Sequence, residues 1–177
     1  MKKRSLKALN RLSIPEFKAQ SKTPIVLVLD NIRSALNVGS AFRTADAFAL
    51  EQIYLCGITA QPPHREILKT AIGATDSVEW VYVDETLQAI ETLRAAAYQI
   101  VAVEQAEASV SLEQFAVAPD QKYALVFGNE VKGVSDAVMT QVDQCIEIPQ
   151  FGTKHSLNIS VCLGIVVWEL FRKGQLG

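Results

Sequence analysis

Ile25-Val26-Leu27-Val28-Leu29 runs into Asp30-Asn31 and then a polar stretch that ends at Asn37. Five aliphatic residues with no polar alternation read as a strand buried on both faces, and the acid and amide that close it read as the start of a loop. A helix is expected from Asn37, with Asn37 as its N-cap and Phe42, Ala45 and Ala49 spaced for a buried stripe. The same rhythm repeats along the chain. Strands are expected at 53–56, 78–83, 100–103, 123–127 and 145–149, with helices near 64–71 and over 84–98 and a short one from Ser135-Asp136. A long helix from Ser156 to Arg172 closes the chain, with Leu157, Val161, Leu163, Gly164, Val167, Trp168 and Phe171 as its apolar positions. Strands alternating with helices predict an α/β fold, a mostly parallel sheet with helices on both faces.

Composition narrows the function classes. The 177 residues are 49% hydrophobic and 20% charged, enough apolar surface for one core and one domain. No apolar run reaches the length of a membrane span, and Met1-Lys2-Lys3-Arg4 leads into mixed polar sequence, so a soluble, cytoplasmic protein is expected. Cys56, Cys145 and Cys162 are scattered, and His64 and His155 are the two histidines, so neither a disulfide framework nor a metal site is expected. Charge is uneven. Residues 1–22 hold seven Lys/Arg against Glu16, a net +6, which leaves residues 23–177 at −8. The basic arm reads as a short helix with Leu6, Leu9 and Leu12 on one side, broken at Ser13-Ile14-Pro15. It is either a phosphate-contacting arm or a solvated terminus, and residues 23–177 form the single domain.

Polar residues cluster at three expected strand ends, the place where open α/β sheets bind ligands. The first cluster runs from Asn31 to Arg43, the second from Phe127 to Ser135 and the third from Ile148 to Ser160. Neither Gly-x-Gly-x-x-Gly nor Gly-x-x-x-x-Gly-Lys-Ser/Thr occurs, so the glycine loops that hold pyrophosphate are missing. The turns at Gly128, Gly133 and Gly152 instead suit an adenosine-type ligand held by main chain.

Taken in order and spacing, the clusters resemble the three motifs of the SpoU (TrmH-type) RNA methyltransferases of the SPOUT superfamily. The matching residues are Asn37-x-Gly39-x-x-x-Arg43, then Phe127-Gly128-x-Glu130-x-x-Gly133, then Ile148-Pro149-x-x-Gly152-x-x-x-Ser156-Leu157-Asn158-x-Ser160. The resemblance runs from about Pro24 to Trp168. It implies a C-terminal deep trefoil knot, a homodimer, and methyl transfer from S-adenosyl-L-methionine to a ribose 2′-hydroxyl of tRNA or rRNA, with tRNA favoured. It further implies that Arg43, Asn37, Glu130, Ser156 and Asn158 serve the chemistry, and that Val103, Phe127, Gly128, Ile148, Gly152, Ser156 and Leu157 hold the cofactor. The family assigns activation of the hydroxyl to the arginine matching Arg43. A guanidinium stays protonated, so clamping phosphate or stabilising the forming alkoxide is the less costly role. Glu130 is expected to turn inward onto an arginine or a backbone donor, and Ser156 and Asn158 to begin the last helix. His155-Ser156 has no orienting acid and is discounted as a hydrolytic pair. Cys162, Trp80 and Trp168 are expected to pack in the core, while for Phe151, in the cofactor loop, packing and stacking on a base both stay open. The alternatives are a non-catalytic RNA-binding module on the same fold and a methyltransferase acting on a base nitrogen.

Overall fold

The computed structural model describes residues 11–175 together with Met1 and Lys3; the helix expected around Leu6 and Leu9 lies outside the described residues. In chain order the elements are α1 (Ile14–Ala19), β1 (Thr23–Asp30), α2 (Ala35–Ala47), β2 (Leu50–Cys56), α3 (Arg65–Ala71), α4 (Ala74–Ser77) and β3 (Trp80–Val83). There follow α5 (Thr86–Ala95), β4 (Tyr98–Val103), β5 (Val110–Ser111), β6 (Lys122–Phe127), α6 (Asp136–Met139), β7 (Gln144–Glu147) and α7 (Ile159–Gln175). The seven strands form one sheet in the order β3-β2-β1-β6-β4-β7-β5, and every pairing is parallel.

The two-residue period of a strand divides the aliphatic runs between two layers. Leu27, Leu29, Leu125 and Phe127 point into a core shared with Val38, Phe42 and Ala45 of α2 and Leu163, Val166 and Leu170 of α7. Val26, Val28, Ala124 and Val126 point the other way, onto Ala89, Ile90 and Leu93 of α5 and Val138 of α6. All carboxyl ends therefore share one edge of the sheet. The chain leaves β1 towards β2 on one side, while β6 has β4 on its other side, so the loops after β1 and β6 meet at a topological switch point.

Several expected boundaries move. Ser13-Ile14-Pro15 starts a helix instead of breaking one: Glu16 accepts hydrogen bonds from Ser13 N (2.8 Å) and Ser13 Oγ (2.6 Å), and proline is tolerated in a first turn. Phe17 of that helix is buried in the core, so part of the basic segment belongs to the fold. Ser34, not Asn37, caps α2; Ser34 Oγ accepts from Asn37 N, which leaves the Asn37 side chain available. Tyr98 opens β4 instead of ending α5, and Ile148 and Pro149 lie beyond β7. The helix α7 starts at Ile159, three residues later than expected. Asn158 is its cap, accepting from Ser160 N (2.9 Å), and Ser156 lies in the preceding loop. Trp168 is 46% exposed against Phe48 and Phe171 and is not a core residue. Among the described residues no helix is long and apolar enough to cross a membrane.

Candidate functional site

Asp30 ends β1 as a buried carboxylate, costly unless donors surround it. They do: Oδ1 accepts from Thr86 Oγ1 (2.5 Å) and Asn31 Nδ2 (2.8 Å), and Oδ2 from Ser135 N (3.1 Å). One side chain thus pins the start of α5 and the segment leading into α6 to the end of β1. Asn31 turns at φ 57, and its carbonyl accepts from Asn129 Nδ2 at 2.7 Å. Asn129 Oδ1 in turn accepts from Val131 N (2.9 Å) and Lys132 N (3.1 Å), which closes the second-motif turn.

Glycine is required on both sides of that turn. A Cβ on Gly128 would stand 2.0 Å from Val134 N, and one on Gly133, at φ 69, would stand 2.2 Å from Glu104 Oε2. Glu104, just past β4, holds the turn from below: Oε2 accepts from Val134 N (3.0 Å) and Oε1 from Gln105 N (2.9 Å).

Glu130 projects from the turn onto the amino end of α2. It accepts from Arg33 N (2.8 Å), Ser34 N (3.0 Å) and Asn37 Nδ2 (3.0 Å). Partial burial pushes its carboxyl up, but the bonds from Arg33 N, the Asn37 side chain, its own backbone and Ser34 N outweigh that and hold it below the ordinary carboxylate range. The donors are backbone and amide groups, not a guanidinium. Asn37 Oδ1 accepts from Asn158 Nδ2 at 3.3 Å. Glu130, Asn37 and Asn158, one from each motif, therefore form a single hydrogen-bonded chain.

Beside this chain opens a cavity of about 830 Å³. Its walls come from the loops after β4, β6 and β7 and the first turn of α7. Val103, Phe127, Gly128, Ile148, Ser156 and Leu157 of the expected cofactor set line it, as do Glu130 and Asn158. Gly152 does not; it stands exposed on the loop, and Phe151 beside it is 97% exposed. Cys162 lines the cavity half-buried; burial first, then the nearby Glu104 charge, pushes its thiol up to about 11, which keeps it protonated and inert. His155 makes no bond to Ser156; its carbonyl accepts from Gln105 Nε2 (2.8 Å), tying the third-motif loop to the end of β4.

Arg43 is not brought to this cavity. It lies six residues past Asn37, about 9 Å along α2 at the usual rise, and lines a separate groove with Lys69 of α3. Sequence reasoning also passed over Asn129, Glu104, Asp30, Thr86 and Ser135, the residues that hold the loops. An acid ending an aliphatic strand was the available signal for Asp30 and, less visibly, for Glu104. Among the described residues no three His, Cys, Asp or Glu side chains gather as a metal site.

A sequence profile described as the SpoU rRNA Methylase family matches residues 24–168. The chain belongs to that family. Among SpoU relatives, a 23S rRNA (guanosine-2'-O-)-methyltransferase RlmB of Vibrio parahaemolyticus is 30% identical over 167 residues, covering 94% of this chain and 66% of its own. The AdoMet-bound rRNA methyltransferase of Sinorhizobium meliloti superposes with a TM-score of 0.80 at 28% identity, over 94% of this chain and 62% of the other. The A. aeolicus TrmH/SpoU tRNA modifying enzyme gives 0.79 at 26%, over 90% and 80%. The chain spans a little under two thirds of the length of the curated SpoU relatives it matches. The parallel sheet and its flanking helices are thus the fold of the SpoU methyltransferases.

Proposed function

We propose that this chain transfers the methyl group of S-adenosylmethionine to a ribose 2′-hydroxyl of an RNA, working as a homodimer. The observation that carries this reading is the Glu130–Asn37–Asn158 chain, which joins all three motifs at the mouth of the cavity. The cofactor fits what lines that cavity. Its volume is within the range of small-ligand sites, and the small or apolar residues Gly128, Ile148 and Leu157 leave main-chain donors and acceptors for an adenine. Glu147 is placed for a cationic group. Once bound, the cofactor supplies an electrophilic methyl on a sulfonium.

The protein's own part is to orient and stabilise. Glu130 fixes the amide of Asn37, Asn37 and Asn158 present a rigid polar edge to the ribose, and Ser156, with no hydrogen-bond partner among the described residues, has a hydroxyl to offer the substrate. Arg43 stabilises the forming alkoxide or clamps an adjacent phosphate. Its distance from its own cavity supports a site completed by a second copy. So does the exposed apolar row Leu157, Val161, Ile165 and Trp168 on α7, which begins at the cavity. A cytoplasmic location goes with an RNA substrate, and tRNA is the first RNA to test because the tRNA-modifying neighbour is matched over more of its length than the rRNA enzymes.

The test is incubation with methyl-labelled S-adenosylmethionine and unfractionated tRNA, then rRNA, followed by alkaline hydrolysis. Label in alkali-resistant dinucleotides is expected. Label in mononucleotides would mean methylation of a base, and cofactor binding without transfer to any RNA would mean a non-catalytic module.

A further inference from the structure

From Leu12 onward the Lys and Arg side chains fall into two sets, engaged and free. At the amino edge of the sheet they are engaged: Lys18 with Glu79, Arg94 with Asp143, Arg172 and Lys173 with Glu169, and Lys22 and Lys122 over the rings of Phe17 and Tyr98. Six others, Arg33, Lys132 and Lys154 on loops at the carboxyl edge, Arg43 on α2 and Arg65 and Lys69 on α3, have neither a carboxylate nor a ring partner among the described residues. Of the carboxylates at the carboxyl edge, Asp30, Glu104 and Glu130 are turned onto backbone amides and hydroxyls.

Two of those cations meet across one groove. Arg43 of α2 and Lys69 of α3 line a concavity of about 430 Å³, with Ser40, Thr44 and Thr70 along it and Phe48 at its end. Ser40 and Thr70 spend their hydroxyl protons on the Leu36 carbonyl, both at 2.9 Å. Thr44 makes no side-chain bond among the described residues, so its hydroxyl and the two cations are the donors left to the groove. Two positive charges and a hydroxyl over a partly apolar floor suit a tetrahedral anion bridged between helices.

We infer that this groove seats a phosphodiester of the RNA strand neighbouring the target nucleotide, with Lys69 as the contact that α3 supplies. The inference rests on the proposed RNA substrate and dimer and adds where the strand runs: from the cavity mouth of one copy, completed by Arg43 of the other, across that second copy's α2 to its α3. Lys69 takes no part in the chemistry. It holds one phosphate, so it acts on affinity and on salt dependence, not on cofactor binding.

The experiment measures binding of unfractionated tRNA by the full chain over a salt series, comparing Lys69→Glu, Lys69→Ala and Lys69→Arg with Lys122→Glu, a charge reversal at the start of β6, away from the groove. Loss of one phosphate contact should lower the slope of log K against log salt by about 0.7 to 0.9 and weaken binding about five-fold near 0.1 M salt for Lys69→Ala. Lys69→Glu should lose more, Lys69→Arg should keep the slope, and Lys122→Glu should change little. Affinity for S-adenosylmethionine should be the same in all. If wild type methylates RNA and the Lys69 variants bind it with the slope of Lys122→Glu, the groove is not a phosphate seat. The same holds if Lys69→Glu alters only the monomer–dimer equilibrium, which would assign the groove to the second copy. A wild-type chain that neither binds nor methylates RNA removes the parent reading as well.

Discussion

Glu130→Gln changes one atom of the site and tests whether the carboxylate organises it. The carboxylate serves three donors, Arg33 N on one oxygen and Ser34 N and Asn37 Nδ2 on the other. A glutamine that keeps its oxygen for Ser34 and Asn37 turns its NH2 towards Arg33 N–H, so one bond is lost and two donors face each other. Hydrogen bonds to a charged group contribute about 1.5–3 kcal/mol, which solvent at this exposed side chain reduces to about 1. Removing negative charge from the amino end of α2 costs about a further 0.5 kcal/mol. The total, about 1–2 kcal/mol, corresponds to a melting temperature lower by roughly 2–8 °C in a chain of this size. The carboxyl is held below its ordinary value of 4.5. Its contribution is therefore fully present above about pH 4.5 and is lost as pH falls through the folded-state value, so the gap between wild type and variant should be constant at neutral pH and close in acid. Methyl transfer should fall at least ten-fold while S-adenosylmethionine affinity holds, because the two donors facing each other at Arg33 N displace the side chain that positions Asn37, while the Gly128, Ile148 and Leu157 walls stay in place. A variant with wild-type melting and wild-type turnover would refute the claim that this carboxylate joins the motifs.

Arg43→Ala should leave folding and cofactor affinity intact and lower turnover by about two orders of magnitude or more; Arg43→Lys should recover activity if charge alone matters and resemble alanine if the planar fork does. Mixing Arg43→Ala with Asn158→Ala chains should restore about a quarter of wild-type methyl transfer if each site draws Arg43 from the partner and subunits exchange freely, and nothing if both residues act within one chain. Gly133→Ala should lower the melting temperature and weaken cofactor binding together, as its Cβ would meet Glu104 at a positive φ; retention of both would show that the turn relaxes at little cost. Removing residues 1–10, which spares α1 and its buried Phe17, should weaken tRNA binding and flatten its salt dependence without touching cofactor affinity.

The sheet was legible because apolar runs such as 25–29 and 123–127 are short, rich in β-branched and aromatic residues and without polar alternation, as strands covered on both faces are, and the glycine, amide and acid residues after them mark where each stops. Cap positions were harder. Ser34 and Asn37 are both good N-cap residues three apart, and only the bond from Asn37 N to Ser34 Oγ decides between them. The motif pattern placed Glu130, Asn37 and Asn158 in one neighbourhood, but not the order of their bonding, which depends on side-chain directions from three separate loops. Arg43 shows the opposite limit: spacing along a helix gives its distance from Asn37, while its direction around the helix, towards α3, follows from how α2 packs. Trp168 was misjudged because an apolar helical position does not say how much of a large ring its neighbours cover: Phe48 and Phe171 leave it 46% exposed.

The bonds that join the motifs also set an order of assembly. Asn37 and Glu130 are 93 residues apart, and Asn37 and Asn158 are 121 apart. Contacts so distant in sequence wait for nearly the whole chain, because the intervening loop must be closed before they contribute. During synthesis the first 150 residues can complete the pairing of β1 with β2 and β6, yet the third member of the chain and one wall of the cavity do not exist until the segment around Asn158 has left the ribosome. A nascent or C-terminally truncated chain should therefore have its strands but lack both the cover that Leu163, Val166 and Leu170 give one face of the sheet and the wall that S-adenosylmethionine needs, so affinity for that ligand becomes a direct readout of whether the last helix has docked.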